Sequence, residues 1–478
     1  GSVQRIESAS HSAMATSMQT FFTAADVDVA DLDRLGQSSS TELRDYPLAS
    51  EVSSNVLLYD CNALLAADAG AVRSEMARAL LHGPGVLVVR GAFDRALTLK
   101  VSDAFDALLE EQSRASGGTS KGDHFALAGN NSRVWNTLEK LARGWPELFV
   151  SYYANEVLAL VCEAWLGPNY QMTAQLNVMR PGAPAQVPHR DYHLGFVDAA
   201  DAAAYPIHAH TGVSPQLTLQ CLVAHSDMPL ASGPTYFLPH SQKYGPGYLA
   251  QTRDDVRAYF NLHRVQLPLQ AGDLVCMNPA VLHGAGANTI PNSRRMANLL
   301  QVSSAFGRPM EIVDTARLSL SVYPALTAAM ATGLAPTSAN AALPAAAAPW
   351  TDRHTFNVVA AVAAGYAFPA NLDLASPGSE AGRLTEAAVM LAALKERWPA
   401  AKLQSSLASI RARGVPPPLP MPSWWGLVSL RAAPLLWLAS SMRRRAKGCT
   451  AWVATRLCYL QASASALLSG MVALRVRD

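Results

Sequence analysis

Residues 186–196, QVPHRDYHLGF, place two histidines and an aspartate within five positions: His189, Asp191 and His193. On an extended strand, side chains two apart point the same way, so His189 and Asp191 can converge on one ion while Arg190 faces away. His193 would share that face but lie roughly 13 Å from His189 if the strand continued. A His-x-Asp pair by itself often arises by chance. Further along, AGDLVCMNPAVLHGAGANTIPNSRR (271–295) carries an apolar strand, then His283 beside a glycine, then Arg294 eleven residues on, with Arg295 next to it. Alone, His283 would more often be a hydrogen-bonded structural histidine; its company upstream and downstream favours a ligand role. Two imidazoles and one carboxylate form the facial set that suits Fe(II) and leaves adjacent coordination positions open. A bidentate co-substrate together with O2 would need those positions.

These residues must be held by strands, and the chain has them. From 170 to about 308 short β-rich runs alternate with Gly, Pro and Asn: QMTAQLNVM, QLTLQCLVAH, GPTYFLP, HRVQLPL, GDLVCMN and RMANLLQVSS. Their spacing predicts an antiparallel sandwich or barrel. Before them, Leu65, Val72, Met76 and Leu80 recur at helical intervals up to GPG at 83–85, and Val86–Val89 reads as a buried strand. Leu97, Val101, Phe105 and Leu108 mark a second helix, and Pro146 opens a third that is expected to close at Gly167-Pro168.

The HRD element, the SGPTYFLPHSQK segment (232–243) and the HGAGAN element with its following arginine together resemble the phytanoyl-CoA dioxygenase family of Fe(II)/2-oxoglutarate-dependent oxygenases. The resemblance covers roughly residues 60–308 and is strongest over 175–302. His240 stands where that family more usually has glycine, at a turn away from the ligands. The resemblance implies a mainly β core with added helices, a double-stranded β-helix or jelly roll. It implies His189, Asp191 and His283 as ligands of a catalytic Fe(II). Arg294, or its neighbour Arg295, would grip the distal carboxylate of 2-oxoglutarate, a task that suits a planar guanidinium. Thr218 or Gln220 could add a hydrogen bond to that co-substrate. The implied reaction consumes O2, releases succinate and CO2, and hydroxylates an unactivated C–H bond of a small or medium-sized metabolite, with desaturation and rearrangement left open. Related halogenases put a small residue in place of the carboxylate; this chain keeps Asp191, so oxygenation is expected.

Substrate contacts are sought in the polar-aromatic stretch GDHFALAGNNSRVWN (122–136), with Asp123, His124, Asn131 and Trp135, and in Tyr192 and His193; each has a structural reading beside it. The long connection 194–215, with Asp198, Tyr205, His208 and His210, is placed to cap the site. Two other functions stay open: a non-catalytic jelly-roll ligand-binding protein, and a metal-dependent dioxygenase that does not use 2-oxoglutarate. Arg294 separates the last case, because a co-substrate without a distal carboxylate has no use for it.

Composition bounds the rest. A 478-residue chain with 50% hydrophobic and 15% charged residues can bury a full core, and its net charge of +2 gives no sign of a nucleic-acid partner. The expected layout is a flexible leader (1–50), an oxygenase domain with N-terminal helices (51–308), a helical extension (309–414), and a Pro-rich linker with a hydrophobic and basic tail (415–478). That tail is either a membrane-surface anchor or a helical element docked on the main domain. Six scattered cysteines argue against a disulfide framework, with Cys221 and Cys276 expected to pack as small hydrophobes. With no basic-then-apolar leader visible, an intracellular, cytoplasmic protein is expected.

Overall fold

The strands are β1 (Glu51–Ser53), β2 (Val56–Asp60), β3 (Val86–Arg90), β4 (Asn131–Val134), β5 (Gln171–Met179), β6 (Thr218–Ala224), β7 (Thr235–Phe237), β8 (Val265–Gln266), β9 (Leu274–Met277), β10 (His283–Ala285) and β11 (Arg295–Ser303). In this computed structural model, which describes residues 19–115, 131–333, 349–367 and 384–414, they form two sheets. The larger has the order β1-β2-β3-β9-β6-β11-β5-β4; the smaller has the order β10-β7-β8. β2 and β3 pair in parallel through a helical crossover, α2 (Cys61–Ala66) and α3 (Ala69–Leu81), and every other pairing is antiparallel. Parallel strands need such a crossover, and burial on both faces explains why both read as unbroken apolar runs.

Alternation along each strand divides the larger sheet into two faces. Leu57, Leu87, Leu176, Leu219, Leu274 and Leu300 point to a helical layer and join its core. Their strand neighbours Val56, Val88, Ala224, Val275 and Ala297 point the other way, and meet Phe237, Leu267 and Leu269 from the smaller sheet or its flanks. The helical layer includes α4 (Arg95–Ala115), α5 (Thr137–Gly144), α6 (Pro146–Tyr153) and α7 (Glu156–Leu166). Helices Thr315–Thr332, Asp352–Val362, Glu386–Glu396 and Ala400–Gly414 share its core through Leu318, Val358, Met390 and Leu403.

Three expectations need correction. The third helix breaks into α6 and α7, because the Asn155 side chain accepts from the Leu158 N–H and starts a new helix. From residue 19 onward the leader is built in: α1 (Val29–Ser38) buries Leu32, and Tyr244 Oη accepts from the Asp28 N–H at 2.9 Å. Cys221 and Cys276 are joined in a disulfide between β6 and β9, where they are register partners with Cα atoms 4.1 Å apart. A separation of 55 residues carries no local signal, and only strand pairing brings them together. Among the described residues no helix is long and apolar enough to cross a membrane. The 415–478 tail lies outside the described residues.

Candidate metal centre and co-substrate cavity

The His-x-Asp segment runs antiparallel beside β10. His189 N–H donates to His283 O (2.9 Å) and His283 N–H to His189 O (3.1 Å); Gln186 N–H donates to Ala285 O, and Asp191 N–H to Pro279 O. One backbone pairing therefore sets all three side chains on one surface. Donor atoms of His189, Asp191 and His283 all lie within 4.8 Å of one another. His189 Nε2 is 3.7 Å from Asp191 Oδ1, and His283 Nε2 is 3.5 Å from Asp191 Oδ2.

Their hydrogen bonds prepare a ligand set. Each imidazole turns its Nδ1 to a backbone carbonyl two residues earlier, Val187 O at 2.8 Å and Val281 O at 2.9 Å. A proton on Nδ1 puts the lone pair on Nε2, toward Asp191. Burial pushes the His189 pKa down, which keeps that ring neutral. Burial opposes the Asp191 charge; attraction to His189 and His283 in their protonated forms, and to a smaller extent the Gln220 amide, holds the carboxyl well below the usual carboxylate range, a role that a cation would take over where both rings offer lone pairs. Gln220 Nε2 donates to Asp191 Oδ2, whereas the buried Oδ1 has no hydrogen-bond partner among the described residues. An ionised, buried and half-satisfied carboxylate between two imidazole lone pairs fits a divalent cation.

The triad borders a cavity between the two sheets. One part of its wall is apolar, with Val88, Leu222, Phe237, Leu267 and Val275; another is polar, with Arg133, Gln175, Asn177, Gln186, Gln301 and Arg295. Asp191 is the one acidic residue lining it among the described residues. Arg295 opens β11 with its guanidinium inward and is 3% exposed. Nη2 donates to Met179 Sδ at 2.7 Å, while Nε and Nη1 have no partner among the described residues. Burial pushes its pKa down to about 10, which leaves it protonated at neutral pH. Arg294 faces the other way and makes a two-pronged ion pair with Asp106 of α4, at 2.6 and 2.5 Å. This placement corrects the expectation for Arg294: successive strand residues face opposite sides, and the inward side falls to Arg295.

The other sequence candidates divide. Gln220 is in the site; Thr218, two residues away on β6, is buried but outside the cavity lining. Tyr192 is buried, and its hydroxyl donates to Gln301 Oε1 in the cavity wall. Positive φ at Tyr192 (66°) and His193 (43°) ends the extended segment and turns His193 outward, where its Nδ1 lies 3.2 Å from Ser214 O. Asn131 bonds to Asn177 at 3.1 Å, and Trp135 carries the Arg133 guanidinium 5.4 Å from its ring centre; neither lines the cavity. In the capping connection, Asp198 caps a short helix, Tyr205 is 48% exposed, and His210 bonds to Ala202 O. Asp123 and His124 lie outside the described residues.

Sequence reasoning missed Arg133, Gln175, Asn177, Gln186 and Gln301 as wall residues. A signal was present in QMTAQLNVM: Gln175 and Asn177 alternate with Ala174, Leu176 and Val178, which marks a strand with one apolar and one polar face although both are buried.

Residues 81–296 match the phytanoyl-CoA dioxygenase (PhyH) family. This stretch is similar to PhyH domains. It holds the triad and both adjacent arginines, within the broader 60–308 span of the resemblance. Relatives include the iron/alpha-ketoglutarate-dependent dioxygenase ausU of Aspergillus calidoustus, 28% identical over 34% of this chain and 52% of its own. Another is the dioxygenase trt7 of Aspergillus terreus, 32% identical over 26% of this chain and 37% of its own. The chain thus spans about half the length, or less, of these relatives. Among solved structures, the non-heme alpha ketoglutarate dependent epimerase SnoN from nogalamycin biosynthesis aligns at 18% identity and a TM-score of 0.37, over 60% of this chain and 98% of its own.

Proposed function

We propose that this chain is an Fe(II)- and 2-oxoglutarate-dependent oxygenase that hydroxylates, or otherwise oxidises, an unactivated C–H bond of a small or medium-sized organic metabolite. The observation that carries the reading is the joint presence, in one cavity, of the His189–Asp191–His283 set and the buried, unneutralised guanidinium of Arg295. A lone buried cation is costly and calls for an anion. The likeness to PhyH domains and the names of the fungal relatives support the same reaction class.

Charge supports the co-substrate. As metal ligands two imidazoles bring no charge and one carboxylate brings a single negative charge, so a ferrous ion would leave the triad net positive, and Arg295 and Arg133 add to it. A dianionic oxo-acid balances that excess. Arg295 would take the distal carboxylate through its two partnerless N–H groups, with Arg133 and Gln186 near the end that binds metal. When bound, iron and 2-oxoglutarate would supply oxidative decarboxylation to succinate and CO2 and transfer of one O2 oxygen to substrate. The chain's own part is to hold three facial ligands, fix both imidazole tautomers, hold Asp191 by a hydrogen bond from Gln220, and keep bulk water from the apolar wall. The two facing sheets, with the His-x-Asp segment beside β10, support reading the core as a double-stranded β-helix. The helices after 309, sharing the core of the helical layer, are read as its brace.

Purified protein given Fe(II), 2-oxoglutarate and O2 should release succinate, and anaerobic mixing should give a visible metal-to-co-substrate charge-transfer band. Mass spectrometry against a metabolite library should then find a product heavier by one oxygen. No band and no succinate would leave a binding protein as the better account.

A further inference from the structure

We propose that Arg190 and Ser241 are positioning residues for the metal centre, fastening both ligand-bearing strands to one turn and so setting the spacing of His189 and Asp191 against His283. The inference rests on the metal-binding reading above.

Arg190 stands between two ligands and is 1% exposed. Its guanidinium is turned from the cavity into the turn that follows β7, where Nη2 donates to Ser241 O (2.5 Å) and Tyr244 O (2.9 Å). The backbone N–H of Arg190 donates to Gln251 Oε1 at 2.6 Å. No carboxylate pairs with this cation among the described residues; its neighbours are carbonyl oxygens and the Tyr248 ring, 5.1 Å away. Burying a charge on such terms is a poor way to gain stability, but two directed bonds from a rigid fork are a good way to fix a strand's angle. Gly247, which opens the short helix Gly247–Ala250 after that turn, leaves room for it: a Cβ there would sit 1.9 Å from the Arg190 Cζ.

Ser241 holds the other strand. Its hydroxyl accepts from the N–H of Leu282, the residue before His283, at 2.8 Å. Its carbonyl thus takes Arg190 while its side chain takes the His283 strand. The turn is itself anchored. His240 adopts the left-handed conformation (φ 67°), the reason glycine is more usual there, and its Nε2 lies 3.1 Å from Thr41 Oγ1. The direct His189–His283 backbone pair fixes the distance between the strands; the Ser241 turn fixes their mutual tilt, which the facial geometry requires.

The test is anaerobic titration with Co(II), read by its visible d–d absorption, alongside thermal unfolding of the metal-free protein. Ser241→Ala and Arg190→Lys should weaken Co(II) binding by roughly 10–100-fold and alter the d–d band. Ser241→Thr, which keeps the hydroxyl, should recover most of the affinity. Tyr323→Phe is the control: it removes a buried hydroxyl bonded to Ala393 O and Trp398 O in the helical layer, and should lower the melting temperature without moving Co(II) affinity. Wild-type affinity and spectrum in folded Ser241→Ala and Arg190→Lys would overturn the inference and leave the metal centre standing. Should Arg190→Lys fail to fold, the Ser241 pair decides. Unchanged Co(II) binding in His189→Ala/His283→Ala would instead sink the metal-binding reading, and this inference with it.

Discussion

Arg294 and Arg295 are adjacent in the chain and serve opposite sides of the larger sheet: one is clamped to Asp106 of α4, the other is buried in the cavity without a carboxylate partner. Their substitutions should therefore separate. Arg295→Ala should raise the apparent KM for 2-oxoglutarate by about 100-fold or more, the scale of a lost bond to a charged group. Arg294→Ala should leave that KM nearly unchanged and cost at most about 1 kcal/mol of stability, since the pair it breaks is partly exposed. Steady-state succinate assays on both variants check this. A large KM effect at Arg294 alone would reverse the assignment.

The same pair marks the limit of what a local sequence pattern specifies. Ligand types and the shared face of His189 and Asp191 were legible, because a period of two and the His-x-Asp spacing are local properties; the short strand β10 that carries His283 was not among the runs read as strands. Parity at the arginines was not, because where β11 begins relative to the loop after His283 depends on pairing with β5, where Arg295 meets Met179. The Gln175–Asn177 wall was half legible: its alternation is in the sequence, but only the fold shows that both faces are buried. The Cys221–Cys276 bond was invisible, being made by two strands far apart in sequence and adjacent in the sheet.

Removing the buried charge itself should have a second consequence. A guanidinium held at 3% exposure with two N–H groups unsatisfied destabilises the protein when no anion is present. Arg295→Met should therefore raise the melting temperature of the metal-free, co-substrate-free protein, and 2-oxoglutarate with metal should stabilise wild type but not this variant. Calorimetry with and without ligand reads both. A drop in apo stability on Arg295→Met would mean the cation is already neutralised in a way that leaves no room for a co-substrate.

The disulfide makes a prediction about covalent state and stability. Non-reducing peptide mapping should recover a Cys221–Cys276 cross-link, while Cys61 and Cys162, both buried and free, should alkylate only after unfolding. Replacing both disulfide cysteines with alanine removes a constraint spanning 55 residues, which should cost about 2–5 kcal/mol in denaturant unfolding. Alkylation of all four positions in freshly unfolded, unreduced protein would show that the strands pair without the bond.

The helical layer carries a pH dependence of its own. His225 is 3% exposed, with Ser102 Oγ 2.9 Å from Nδ1 and Tyr152 Oη 2.9 Å from Nε2. Burial pushes its pKa down to about 3 from an ordinary value of 6.5. Above 6.5 the ring is neutral in folded and unfolded chains alike, so its packing is fully available. Below 6.5 the unfolded chain takes up a proton that the folded one refuses, and stability falls until the folded pKa is reached. Each pH unit in that window should lower the unfolding free energy by up to about 1.4 kcal/mol through this one group. Urea unfolding between pH 7 and 4, with wild type set against His225→Gln, measures the difference in slope. The variant should be less stable at pH 7 yet decline less steeply on acidification; parallel curves would mean that His225 takes up its proton without opening the layer.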